Sequence, residues 1–140
     1  MTIGLDTTIR TGRLQTVLDA VDFEGDEYDS AHLLIYSGDR PVTGGAVDEY
    51  ENDLLVDFSL SFPCGTIINN VLTFGVVASV LGLLYGFASW ARLIDSNGVF
   101  VADLSVTDTN GVGDIKISSL EIFVGIAVYF VSGAITEGNA

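Results

Sequence analysis

The stretch from Trp90 to Asp103, WARLIDSNGVFVAD, constrains the fold more than any other part of the chain. Its centre, Asn97-Gly98, is the dipeptide best suited to the two positive-φ positions of a type I′ turn, and strand-forming residues flank it on both sides. The spacing predicts a β-hairpin. Trp90, Arg92 and Ile94 alternate with Ala91, Leu93 and Asp95, and Val99, Val101 and Asp103 alternate with Phe100, Ala102 and Leu104. Neither strand has a fully polar face, so the hairpin must be covered on both sides, by a sheet on one and by a helix, loop or neighbouring subunit on the other.

A chain of 140 residues with 49% hydrophobic content is long enough for one domain with a real core. Nineteen acidic side chains against five basic ones leave a formal charge of -14, which repels a phosphate backbone and argues against nucleic-acid binding. The same acidity suits solubility, a basic partner or a salty habitat. One cysteine, Cys64, forms no intrachain disulfide. The N-terminal MTIGLDTTIRTGR lacks the apolar core and cleavage pattern of a secretory signal, so none is expected.

Residues 1 to 6 read as an arm. A helix is expected over 7 to 21, capped by Thr7 or Thr8, with Ile9, Leu14, Val17, Leu18 and Val21 on one stripe. Residues 22 to 29, DFEGDEYD, read as a solvated loop; its carboxylates are hard-cation ligands, but the calcium-loop pattern is incomplete. HLLIY, His32 to Tyr36, fits a buried strand, with the solitary His32 a strand-end residue rather than a ligand. From Asp53 to Phe62, Leu54, Val56, Phe58, Leu60 and Phe62 alternate with Asp53, Leu55, Asp57, Ser59 and Ser61, a half-exposed strand. Cys64, in the Pro-Cys-Gly turn that follows, has no base paired with it.

Residues 58 to 91 carry no charged side chain, and VLTFGVVASVLGLLYGFASWA within them is long enough to cross a bilayer. With the weakly charged stretch from Ile122 to Thr136 it makes a small two-span membrane protein an alternative. Against this, no cluster of Lys or Arg marks a cytoplasmic side, and the glycines, β-branched residues and Asn69-Asn70 suit strands with short turns. In the β reading, Val71 to Ala78 and Gly86 to Asp95 are strands, and VLGLLYG between them is an apolar loop that another subunit would cover. A turn at TDTNGVGD, a short strand at Ile115 to Ile117 and a closing strand over Val124 to Ile135 complete the series. The expected architecture is mostly β: an antiparallel β-sandwich or small barrel with one short N-terminal α-helix, divided into an arm and helix at 1–22 and a single β domain at 23–140.

No G-x-S-x-G, P-loop, HExxH or paired cysteine ligands occur, and no pair of carboxylates stands out as an acid and base. Neither an enzyme nor a cofactor or metal site is expected. TIGLDTTIRTGRLQTVLDAVD, LLIYSGDRP, WARLIDSNGVFVAD and the terminal ITEGNA, taken together and in this order, resemble a group of small tailed-phage virion proteins described as capsid decoration or cement proteins. In that group the region matching VASVLGLLYGFA is small and polar, whereas here it is apolar, as is the chain after residue 119. The uncharged run is then an elaboration of a soluble β fold. The resemblance implies a virion location on the outer capsid surface, with the major capsid protein and further copies of the chain, as a dimer or trimer, for partners, and no membrane. A head-tail connector or tail component is the alternative within the same class. The expected contact residues are Ile3, Leu5, Ile9 and Leu14 at the N-terminus and Val80, Leu81, Leu83, Leu84 and Tyr85 in the apolar loop.

Overall fold

The computed structural model describes residues 6–22 and 30–136. One helix, α1 (Thr7–Val21), precedes a chain of strands, the first two being β1 (His32–Tyr36) and β2 (Leu54–Ser59). A tight hairpin follows, β3 (Gly65–Ile68) and β4 (Val71–Phe74), then two short pieces, β5 (Val80–Leu81) and β6 (Gly86–Phe87). Next come the long hairpin β7 (Trp90–Ile94) and β8 (Phe100–Thr107), then β9 (Ile115–Ile117), β10 (Glu121–Ile122), β11 (Ala127–Val128) and β12 (Phe130–Thr136). Eight of these strands form one sheet in the order β2-β1-β7-β8-β9-β12-β4-β3, curled into a half-barrel. The fold is mostly β with one helix, as expected. All neighbours in the sheet are antiparallel except β8 and β9, which run parallel through Val106–Ile115 and Thr107–Lys116. No described helix is long and apolar enough to cross a membrane, and the uncharged run is folded as short strands and turns.

The helix has the expected bounds but a different cap: the Asp6 carboxylate accepts the Thr8 amide at 2.9 Å, so Asp6 and not Thr7 or Thr8 is the N-cap. An aspartate one residue upstream satisfies the same orphan amides and sets a negative charge at the positive end of the helix dipole. Leu14 and Val21 are buried, and Val17 and Leu18 pack beside Val21 against the core. Ile9, assigned to the same stripe, is 53% exposed. The helix bridges β8 in the middle of the sheet and the β4–β3 end. Thr11 donates to the Asn70 side-chain oxygen at 2.8 Å, and Asp22 accepts the Cys64 amide at 2.9 Å. Val21 belongs to the same core as the strands.

The turn chemistry differs from expectation in an instructive way. The β7–β8 hairpin forms, but of its two turn residues only Gly98 has a positive φ, of 80°. Gly98 donates to the Asp95 carbonyl, the Asp95 amide donates to the Val99 carbonyl, and the buried Asp95 carboxylate accepts from Asn97 and Val99 at 2.8 and 2.9 Å. That is a three-residue loop closed by a left-handed glycine, selected by an aspartate that supplies the acceptor a type I′ turn would not need. The two-residue left-handed turn lies instead at Asn69-Asn70, with φ of 53° and 60°, and joins Ile68 directly to Val71.

One face of β2-β1-β7-β8 builds the core: Val56 and Phe58 face Ile35 and Leu33, which face Ala91 and Leu93. Phe130 continues it, set edge-on to Phe58 and Phe74 at 5.8 and 6.4 Å. The other face of the hairpin is covered from within the chain, by the 37–53 loop. There Asp103 accepts Arg92 Nε at 2.8 Å and a second guanidinium nitrogen at 3.1 Å, and also the Gly44 amide at 3.0 Å. Arg92 lies over the rings of Trp90 and Phe100, at 5.2 and 5.1 Å, and Tyr36 stacks on Trp90 at 4.7 Å. The buried Asn52 closes the loop, donating to the Ser37 and Asp39 carbonyls. A loop therefore provides the second cover that the hairpin required, and no neighbouring subunit is needed there.

Candidate interaction surface

The two most apolar parts of the sequence, near residues 80 and 125, meet in space. β5 pairs with β11 through Val80–Val128 and Leu81–Ala127, and β6 pairs with β10 through Gly86–Ile122 and Phe87–Glu121. Between these ribbons Gly82 bridges to Val124; its amide donates to the Ile126 carbonyl at 2.9 Å, and its carbonyl accepts from Gly125 at 3.0 Å. Pairing of period two gives each ribbon an inner and an outer face. Ile122 and Val128 point into the core with Val80 packed against it, and Gly86 lies over the buried Leu55. The Leu83 amide donates to the Leu55 carbonyl at 2.8 Å, tying the loop to β2. Leu55 was expected on the half-exposed side of β2, and this crossing loop is what buries it.

The outer face is a projecting apolar surface. Leu81, Leu83, Leu84, Tyr85, Phe87, Phe123, Val124 and Ile126 are each between 47% and 63% exposed. Tyr85 anchors it, with its ring 6.3 Å from Phe87 and 5.3 Å from Phe123 and its hydroxyl donating to Glu121 at 3.1 Å. That hydrogen bond, with the carboxylate charge, holds the Tyr85 hydroxyl above its ordinary pKa. Taking about 150–250 Å² for each aromatic side chain and about 60–120 Å² for each aliphatic one, from its ~1.5–3 kcal/mol of full burial at about 25 cal/mol per Å², the eight residues expose on the order of 600 Å². The largest apolar patch of a typical monomer is about 300–600 Å².

Of the expected contact residues, Leu81, Leu83, Leu84 and Tyr85 lie on this surface, and Val80 turns inward beside them. Ile9 is exposed on α1, far along the sequence from this loop. Leu14 does not belong with them: it is 1% exposed, so it serves the helix packing and is out of reach of any partner. Ile3 and Leu5 lie outside the described residues, as does most of the acidic 22–29 loop. Sequence reasoning missed Phe87, Phe123, Val124 and Ile126 as members of the surface. The only signal was that residues 122–136 are as poor in charge as the loop; their pairing across some forty residues is a tertiary fact.

His32 and Cys64 each lie against a carboxylate. His32 Nδ1 sits 2.6 Å from Asp57 on the outer side of the sheet, and among the described residues no group of three metal-ligating side chains occurs. Burial first, then the charge and hydrogen bond of Asp22, push the Cys64 thiol up to about 12. Cys64 is therefore expected to resist iodoacetamide at about pH 8, reacting roughly a thousandfold slower than a free thiol. In urea it should react at the ordinary rate; mass spectrometry of the two samples checks this.

No family model matches the chain, and no characterised protein or solved structure matches it at a significant level.

Proposed function

We propose that this protein is a phage capsid cement protein, which binds the outer surface of the assembled major capsid protein shell and stabilises it mechanically. The observation that carries the reading is the projecting apolar surface, at the upper end of what a solitary domain ordinarily exposes, through which neighbouring copies on a shell join. Such a domain contributes contact area. Repeated over a shell, modest single contacts add through avidity to a durable lattice that opposes the pressure of packaged DNA. A formal charge of -14 suits the outside of the shell, away from the genome. The resemblance of the WARLIDSNGVFVAD and LLIYSGDRP segments to decoration proteins points the same way. Shell contact falls to the N-terminal region, through Ile9, its exposed large apolar residue among those described, and through Ile3 and Leu5 earlier in the sequence.

The test is co-sedimentation of the purified protein with expanded shells of its own phage's major capsid protein. Saturable binding in many copies, with a raised melting temperature of the shell, is expected. Binding of a few copies at one vertex would assign the protein to the connector or tail, and no binding would end the reading. Ile9→Asp should weaken shell binding about tenfold or more, the effect of losing a contact worth ~1.4 kcal/mol, while its circular dichroism spectrum stays unchanged.

A further inference from the structure

We infer that the surface formed by Leu81, Leu83, Leu84, Tyr85, Phe87 and Phe123 is where a second copy of this chain docks. The inference deepens the cement reading by giving this surface to a neighbouring copy and leaving the shell contact to the N-terminal region. Three observations select that occupant.

The first is area. A stable interface takes about 800 Å² from each partner, of which about 56–65% is apolar, and this surface, with Val124 and Ile126 beside the six, offers on the order of 600 Å² of apolar side chain. The second is charge. Two copies each carrying -14 repel wherever their acidic faces meet. Within residues 58–91 and 117–136, the segments that build this surface, Glu121 is the one charged side chain. Glu121 is engaged with the Tyr85 hydroxyl at the edge of the aromatic group. On these segments two copies bring together one carboxylate each out of nineteen acidic side chains, so little repulsion arises from the surface itself. The five basic residues, Arg10, Arg13, Arg40, Arg92 and Lys116, all lie in other segments, so the face has no cation for a phosphate or an anionic headgroup. The third is chemistry. Leucine and aromatic side chains at the centre, a tyrosine hydroxyl bonded at the rim and depleted charge are the composition of an interface core. Hydrogen bonds through Gly82 and Leu83 hold the backbone in place before any partner arrives, which lowers the ordering cost of association.

Light scattering on the purified protein, with and without Leu84→Asn and Phe123→Asn combined, tests the inference. The wild type should show a multiple of 14.8 kDa. The double variant, altered only at exposed positions, should fall to the single-chain mass with an unchanged circular dichroism spectrum. Val112→Asn, at a position 97% exposed and far in sequence from these segments, should leave the mass of the wild type intact. Association should also hold or tighten as salt shortens the Debye length from about 30 Å at 0.01 M to about 3 Å at 1 M, because screening removes repulsion and spares apolar contact. A wild type monomeric up to about 100 μM overturns the inference. So does an oligomer that the double variant leaves unchanged, and so does a monomer that binds phosphatidylcholine vesicles through this face. Shell binding separates the two proposals: a monomer that still decorates shells sinks only the docking of a second copy, and an oligomer that ignores shells sinks only the cement reading.

Discussion

Arg92→Ala is expected to destabilise the domain by about 3–5 kcal/mol, the loss typical when one member of a buried ion pair is removed. The Arg92 side chain is 10% exposed and the Asp103 side chain not at all. Deleting the guanidinium removes a two-pronged contact to Asp103 and the cation between the Trp90 and Phe100 rings. The carboxylate is left buried with the Gly44 amide as its remaining hydrogen-bond donor. Since domains of this size hold only about 5–15 kcal/mol of stability, the urea midpoint should fall by a large fraction. Combining Arg92→Met with Asp103→Leu should recover much of the loss, because apolar replacement of both partners removes the unpaired charge. A variant as stable as the wild type would mean that the ion pair is not closed in solution.

The same pair sets an acid dependence. Burial, the largest influence, raises the Asp103 pKa, but hydrogen bonds from Arg92 and Gly44, with the charges of Arg92 and Arg40, outweigh it and hold the group below its ordinary value. The folded value lies below the unfolded one of about 3.9. The contribution of Asp103 is thus fully present above the unfolded pKa and is lost as pH falls through the folded pKa. Stability measured below about pH 4 should therefore decline less steeply in Arg92→Ala than in the wild type.

Gly82→Ala should have the next largest effect, because the approach of the two apolar segments leaves no room for a side chain there. A Cβ at Gly82 would run into the Phe123 carbonyl oxygen and crowd the Ile122 side chain. The backbone must part, weakening the hydrogen bonds from Gly82 to Ile126 and from Gly125 to Gly82. A forced shift of this kind costs about 1–3 kcal/mol, or roughly 3–12 °C in Tm for a domain of this length. Separation of the ribbons also breaks the surface that Tyr85, Phe87 and Phe123 share, so self-association should weaken with it. Calorimetry and light scattering on one sample check both effects; an unchanged Tm would show that the two segments are not in close register.

Local signals were read well where a single element carries its own reason. The 7–21 helix and the His32 to Tyr36 strand have the expected bounds, because helix-compatible residues behind a cap and an apolar run are properties of a few adjacent residues. The Asp53 to Phe62 strand is shorter than its alternation, ending at Ser59, and Val71 to Ala78 stops pairing after Phe74. Asn97-Gly98 did mark a hairpin. Its turn type was misread because the deciding group is the Asp95 side chain, which reaches amides two and four residues away.

By itself the sequence determined that this chain builds a β domain with one helix, that the 90–107 hairpin needs cover on two sides, and that the 80–86 segment is too apolar for an ordinary loop. Those conclusions follow from backbone propensity, period and charge, all local quantities. Only the tertiary structure decided that the 37–53 loop supplies one cover, that Leu14 is core, and that Gly82 brings residues 81–87 and 121–128 into one exposed surface. Contacts of that kind depend on which distant segments share space once the sheet curls, and no local pattern encodes the choice.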